Sequence, residues 1–215
     1  MQQRLGILGG SFDPIHLGHL RSAEEVREAL ALDRVYFVPA NDPPHKPGRR
    51  LVEGRARLAM LEIAVAENPA FRASAVELER GGISYSVDTI QSFASAEPQA
   101  SLFLIVGIDT FREMHTWKDV VRIFELVSVV VTSRPPNAAD QSIGHLPVAA
   151  QEAFCYDPST LSYRHRSGTR LCFVSITAID ISATAIRERA RRGQSIRYLV
   201  PAVVESYIRE HGLYR

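Results

Sequence analysis

Two periods of apolar residues alternate along the chain. Leu5-Gly6-Ile7-Leu8 is a short apolar run and predicts a strand over 4–9. Beyond it Leu20, Ala23, Val26, Arg27 and Leu30 recur at helical spacing and predict a helix over 18–31. Val35-Tyr36-Phe37-Val38 predicts a second strand, stopped by Pro39. Ala40–Arg50 is rich in proline and basic residues and reads as a loop. A helix is expected over 54–67, ended by Asn68-Pro69. A strand over 71–78 follows, then a helix over 86–96 with Val87, Ile90 and Phe93 on one side. Ser101–Val106 is nearly all apolar, as in a strand buried on both faces. Short helices over 109–114 and 118–125 lead to a buried strand at Val127–Thr132. Residues 134–152 hold three prolines and little periodicity, and predict a long surface connection. A last strand over 170–176 precedes helices at Ser182–Arg192 and Pro201–His211. The order βαβαβα, then βαβ, predicts an α/β fold with a doubly wound parallel sheet and helices on both faces. One domain spanning 1–215 is expected, with a core over 1–180 and a small C-terminal helical part over 181–215.

Composition narrows the function class. The 215 residues are 46% hydrophobic and 23% charged, ordinary for a globular protein with one sizeable core. Twenty-five basic against 24 acidic residues give a net charge of +1. That argues against binding dominated by attraction to nucleic acid or membrane. Cys155 and Cys172 form no CxxC pair, and no secretory apolar segment precedes the first strand, so a cytoplasmic protein is expected.

The chemistry gathers at the first strand end: Gly9-Gly10-Ser11-Phe12-Asp13-Pro14-Ile15-His16-Leu17-Gly18-His19. Paired glycines allow the backbone to approach a ligand closely. His16 and His19 open the helix, where N–H groups favour an anion and imidazole adds donors or positive charge. Such a turn suits a nucleoside triphosphate attacked at its α-phosphate. Plainer readings are a tight loop with a helix-capping histidine, or a metal site on His16 and His19. No third ligand lies nearby at metal-site spacing. No GxGxxG follows the first strand, so a dinucleotide fingerprint is absent. Residues 181–187, Ile-Ser-Ala-Thr-Ala-Ile-Arg, offer a second anion site. Ser182 is a good N-cap, and Thr184 and Arg187 share a helix face. The alternative is an ordinary capped helix with an exposed arginine. Ligands of doubly wound sheets sit beyond the carboxyl ends of the strands, at the switch point. Gly107 and Asp109 end the strand over 101–106, and adjacency of the two central strands would bring them to Gly9 and Gly10.

These two segments resemble the paired signatures of the nucleotidyltransferase superfamily, Gly-x-Phe-x-Pro with His-x-Gly-His, and Ile-Ser-x-Thr-x-Ile-Arg. Gly10, Phe12, Pro14, His16, Gly18 and His19 match the first, and 181–187 match the second. The resemblance implies a Rossmann-like fold that binds ATP through Gly9, Gly10, Ser11, Phe12, His16, Gly18, His19, Gly107, Asp109, Ile181, Ser182, Thr184 and Arg187. It implies catalytic roles for His16, His19 and Arg187. Ser182, Thr184 and Arg187 would hold the phosphates that leave as pyrophosphate. Mg2+ would ride on the triphosphate rather than on a protein cage.

Other segments bear on the acceptor. Pro43-Pro44-His45-Lys46, Ser84–Thr89, Gly107-Ile108-Asp109 and His115-Thr116-Trp117 together resemble bacterial nicotinate-nucleotide adenylyltransferases. This likeness runs from residue 4 to 213, although 134–169 carry no recognisable motif. It implies nicotinate mononucleotide as acceptor and deamido-NAD as product, in NAD biosynthesis. It also implies mononucleotide contacts from Ser11, Pro44, His45, Lys46, Tyr85, Ser86, Asp109 and Trp117. The residue types are compatible. Trp117 offers an aromatic face to a pyridine ring. Ser86, near a helix start, offers a hydroxyl and N–H groups to a carboxylate. Asp109 can accept from ribose hydroxyls. The plainer alternatives are a partly buried structural Trp117, a solvated basic loop at His45 and Lys46, and mere helix support from Asp88 and Thr89. Partners are thus two small molecules; no residue pattern fixes an oligomeric state. Rival readings are a transferase making dephospho-coenzyme A or a CDP-alcohol, an RNA binder related to class I tRNA synthetases, and a non-catalytic nucleotide sensor.

Overall fold

The computed structural model describes residues 2–44, 51–133 and 142–215. The chain runs through β1 (Arg4–Gly10), α1 (Leu17–Ala29), β2 (Arg34–Pro39), α2 (Gly54–Val65), β3 (Phe71–Ala73), α3 (Val76–Arg80) and α4 (Ser86–Ala96). It continues through β4 (Ser101–Gly107), α5 (Ile108–Arg112), a 3-10 turn at Met114–Thr116, α6 (Val120–Leu126) and β5 (Ser128–Ser133). Then come α7 (Val148–Gln151), β6 (Phe154–Asp157), β7 (Ser162–His165), β8 (Arg170–Ser175), α8 (Ala183–Arg191) and α9 (Ala202–Glu210). Among the described residues one eight-stranded sheet has the order β3-β2-β1-β4-β5-β8-β7-β6.

The continuous apolar runs became central strands with two buried faces. On β4, Leu102, Leu104 and Val106 enter one core, while Phe103 and Ile105 enter the other. The first core is closed by Val87, Ile90 and Phe93 of α4 with Phe111, Ile123 and Phe124. The second is closed by Ala23 and Val26 of α1, Met60 and Leu61 of α2, Ile186 of α8, and Val204 and Ile208 of α9. Burying each of the Val, Leu, Ile, Met and Phe side chains contributes about 1.5–3 kcal/mol, so packing rather than propensity holds these short helices. The expected doubly wound sheet is therefore present.

Four local expectations need correction. The sheet is parallel only from β3 to β8; β7 is antiparallel to β8, and β6 to β7. Each hairpin strand has only four residues, and polar ones such as Arg164 and Asp157 break any apolar run. The strand expected over 71–78 stops at Ala73, and α3 takes its place. Glu77 of α3 is buried and accepts a hydrogen bond from Thr89 Oγ1 at 2.6 Å, while Gly81 at φ 68° ends the helix. The connection expected over 134–152 contains α7, whose Ala150 reaches the first core; residues 134–141 lie outside the described residues. The helix expected over 109–114 divides into α5 and the 3-10 turn.

The topology fixes where a site can lie. The chain winds outward from β1 through β2 to β3, then returns to place β4 on the other side of β1. Gly10 pairs with Pro39 and Leu8 with Ile105, so three strand ends lie side by side at this switch point. None of the described helices is long and apolar enough to cross a membrane.

Candidate active site

The turn between β1 and α1 presents both histidines at that edge. His16 is the N-cap of α1 and its side chain makes no capping hydrogen bond, which speaks against the plain capping reading. His16 is buried and His19 half-buried, and their rings stack with centroids 3.6 Å apart. Phe12 meets His19 edge-on at 5.1 Å. Phe12 itself sits at φ 44°, a conformation that costs an L residue on the order of 1–3 kcal/mol. Gly18 is closely packed: a Cβ there would lie 3.1 Å from His16 Nδ1, so the imidazole would have to give by a few tenths of an ångström. Gly9 and Gly107 differ: a Cβ at either would meet no atom of the described residues within 4 Å. Chain packing therefore does not demand glycine at these two strand ends, whereas close approach of a ligand would.

The second motif is brought onto the first. A Cβ at Gly18 would lie 3.9 Å from Ile181 Cβ. Ser182 caps α8, accepting from the Ala185 N–H at 3.2 Å. Arg187 Nη2 donates to Thr184 Oγ1 at 3.0 Å, as their spacing predicts. Arg187 Nη1 donates to the Asp13 carbonyl at 2.6 Å and lies 3.8 Å from Asp13 Oδ2. At 8% exposure this guanidinium is not the exposed surface arginine of the alternative reading. The N–H groups of Ala183 and Thr184, at the start of α8, have no acceptor among the described residues. A hydroxyl, open amides and a cation thus surround one helix N-terminus, which favours an anion.

Several of the acceptor-side segments are joined to one another. The stretch after β2 is tied to the approach to α4: Asn41 N–H donates to Ser84 Oγ at 2.8 Å and Asn41 Nδ2 to the Gly82 carbonyl at 2.9 Å. Pro44 ends the described part of this stretch, and His45 and Lys46 lie outside the described residues. Tyr85 is the N-cap of α4 and Ser86 its first residue. The Ser86 and Val87 N–H groups have no acceptor among the described residues. Trp117 is half-buried against the first core, so its structural reading has support too. Its neighbour Lys118 connects the two segments, with Nζ 3.3 Å from Asp88 Oδ1 and 4.7 Å from the Tyr85 ring centroid. Asp109 is on α5, directly after β4, with its carboxylate exposed and 3.4 Å from Arg112 Nη1. Thr89, by contrast, is spent on Glu77 and supports the helix.

A profile of the cytidylyltransferase-like family matches residues 7–189. A probable nicotinate-nucleotide adenylyltransferase of Syntrophotalea carbinolica is 47% identical over 212 residues, covering 99% of this chain and 97% of the relative. Another, from Trichlorobacter lovleyi, is 48% identical with 99% of both chains covered. The chain belongs to the nicotinate-nucleotide adenylyltransferase family. Among solved structures, nicotinic acid mononucleotide adenylyltransferase of Plasmodium falciparum, complexed with NaAD, superposes with a TM-score of 0.71 at 16% identity, over 99% of this chain and 98% of that one. At that identity the likeness speaks for the fold alone.

In this adenylyltransferase-family chain, sequence reasoning passed over three residues behind the turn. Arg57 of α2 is 2% exposed; its Nε donates to the Val52 carbonyl and its Nη1 to the Ser11 carbonyl, both at 2.8 Å. Burial pulls its pKa below the usual guanidinium value, and the charge of Asp13 opposes that shift. Asp13, also 2% exposed, accepts on Oδ1 from Tyr214 Oη at 2.8 Å and from the Val52 N–H at 3.4 Å. Burial, with the Asp13 charge beside it, pushes the Tyr214 phenol far up. Arg57 did leave a trace in the sequence: it falls on the apolar stripe of Met60, Leu61 and Val65. Tyr214, 201 residues from Asp13, left none.

Proposed function

We propose that this chain transfers the adenylyl group of ATP to nicotinate mononucleotide, giving deamido-NAD and pyrophosphate. The single observation that carries the reading is the junction of the two motifs, through Arg187 and Asp13, at the switch point of the sheet. No enzyme nucleophile is needed. A phosphate oxygen of the mononucleotide attacks the α-phosphorus of ATP, and the α–β bridging bond breaks as pyrophosphate departs. Catalysis is then positioning plus stabilisation of charge on phosphorus. His16 and His19 donate at the α-phosphate, while Ser182, Thr184 and the α8 amides receive the leaving group with the charge of Arg187 behind them. Gly9, Gly10 and Gly107 leave room for the nucleotide, and Asp109 accepts from ribose. Tyr85, Ser86 and the open amides of α4 take the nicotinate carboxylate, with Trp117 against the ring. Ser11, Pro44, His45 and Lys46 complete the mononucleotide side.

Among the described residues no three His, Cys, Asp or Glu side chains are grouped to hold an ion. Mg2+ carried on the ATP phosphates would supply charge neutralisation there. The test is pyrophosphate release from ATP with each mononucleotide. A helix N-terminus favours a carboxylate over a neutral carboxamide. Nicotinate mononucleotide is therefore expected to exceed nicotinamide mononucleotide in kcat/KM by at least about tenfold, or about 1.4 kcal/mol. Trp117→Ala should weaken both without changing the ratio. Equal rates in the wild type would remove the carboxylate pocket from Tyr85 and Ser86.

A further inference from the structure

The turn that carries His16 and His19 is braced from three directions. Arg57 Nη1 holds the Ser11 carbonyl at 2.8 Å, and Arg187 Nη1 holds the Asp13 carbonyl at 2.6 Å. Tyr214 Oη holds the Asp13 carboxylate at 2.8 Å. Asp13 and Tyr214 are both buried, so neither end of this last bond exchanges freely with water. Between the braced residues lies Phe12 at φ 44°, a conformation that persists only where its surroundings over-determine it. Its ring abuts His19, which stacks on His16. Phe12 thus adjoins Asp13 along the chain and touches the imidazole pair with its ring.

We propose that Tyr214 is a positioning residue for adenylyl transfer: its hydroxyl, acting through Asp13, sets the pose of the turn bearing His16 and His19. Two features favour this over simple packing. The hydroxyl meets a buried carboxylate rather than solvent, and that carboxylate also receives the Val52 N–H at the entry to α2. One carboxyl thus joins the C-terminal segment, α2 and the signature turn. The ring alone would fill the same space without fixing Asp13.

The proposal rests on the adenylyl-transfer reading for its kinetic arm only. Tyr214→Phe keeps the ring and removes the hydroxyl. Displacing a reacting group by about 1 Å costs on the order of 10²-fold in rate, and one strut of three is lost, so kcat should fall by roughly tenfold. KM for the mononucleotide should stay within about twofold, because the variant leaves Tyr85, Ser86 and Trp117 untouched. Rates are taken well below the measured Tm, where a purely structural loss would leave kcat of the folded enzyme unchanged. The second arm needs no turnover: imidazole nitrogen and carbon-bound proton resonances of His16 and His19 are compared in wild type and variant. They should move, since the stacked rings sense each other's ring current. A variant with wild-type kcat and unmoved imidazole resonances would overturn the proposal, even if its Tm were lower. A wild-type enzyme inactive on nicotinate mononucleotide would refute the functional reading instead, and the resonance comparison would still decide the role of Tyr214.

Discussion

Replacing Arg57 by Met tests how far the site's scaffold depends on one buried cation. Met keeps much of the aliphatic stem and removes every donor. The Val52 and Ser11 carbonyls each lose a 2.8 Å hydrogen bond. A buried acceptor left without its donor costs about 1–3 kcal/mol, so the pair costs about 2–6 kcal/mol. Removing a charge whose burial is itself unfavourable returns part of this. Asp13, however, then keeps its carboxylate at 2% exposure with one fewer cation nearby. For a chain of this size each kcal/mol lowers Tm by about 2–4 °C, so the two lost donors predict a drop of about 4–24 °C. Urea unfolding monitored by tryptophan fluorescence and far-UV circular dichroism gives the free energy, and an unchanged slope would assign the effect to the native state. Arg27→Met is the control. Arg27 pairs with Glu24 at 2.7 Å on the flank of α1, with both side chains about a quarter exposed, and should cost at most about 1 kcal/mol. If Arg57→Met destabilises no more than Arg27→Met, the bracing of the turn is wrong.

His19→Ala should fold normally and lose at least about 10²-fold in turnover, as the loss of a transition-state donor does; a folded variant with near-normal pyrophosphate release would remove the imidazole pair from the chemistry. Stability should also fall on the alkaline side. Burial and the Asp13 charge raise the Tyr214 phenol above its ordinary value of 10.0, so its contribution is complete below that pH and is lost as pH rises through and beyond it. The decline approaches about 1.4 kcal/mol per pH unit. Urea midpoints at pH 9, 10 and 11 should show a shallower decline for Tyr214→Phe than for wild type, and parallel declines would contradict the buried phenol.

Much of this was legible in the residues. The central strands announced themselves because burial on both faces demands uninterrupted apolar runs, as in Ser101–Val106. Helix faces such as Val87, Ile90 and Phe93 did the same at helical spacing, and all three enter the first core. The pairing of Thr184 with Arg187 followed from their three-residue separation. What escaped were features with no local period. The hairpin of β6 and β7 is paired at the sheet edge, and its four-residue strands, broken by Asp157 and Arg164, form no continuous apolar run. Helix α3 hid because Phe71-Arg72-Ala73-Ser74-Ala75-Val76 reads as an extended run, whereas the buried Glu77–Thr89 bond that ties α3 to α4 is long-range. The Tyr214–Asp13 contact joins positions 201 apart, beyond any spacing rule.

The two-sided burial of β4 carries one more consequence. A strand with one wet face resists slipping by a residue, because slippage would drown its apolar side. Here either face is oil, so polarity cannot hold the alignment of β4 with β1. Size must do it instead. Gly6 stands opposite Phe103, and a Cβ on it would press Leu32 at 3.0 Å, Ile105 at 3.2 Å and Val35 at 3.2 Å. That notch receives large side chains from β2, from β4 and from the connection between α1 and β2, and a one-residue slip would set a different side chain of β4 against it. The register that brings the end of β1 beside the end of β4 thus leans on a missing methyl group at Gly6.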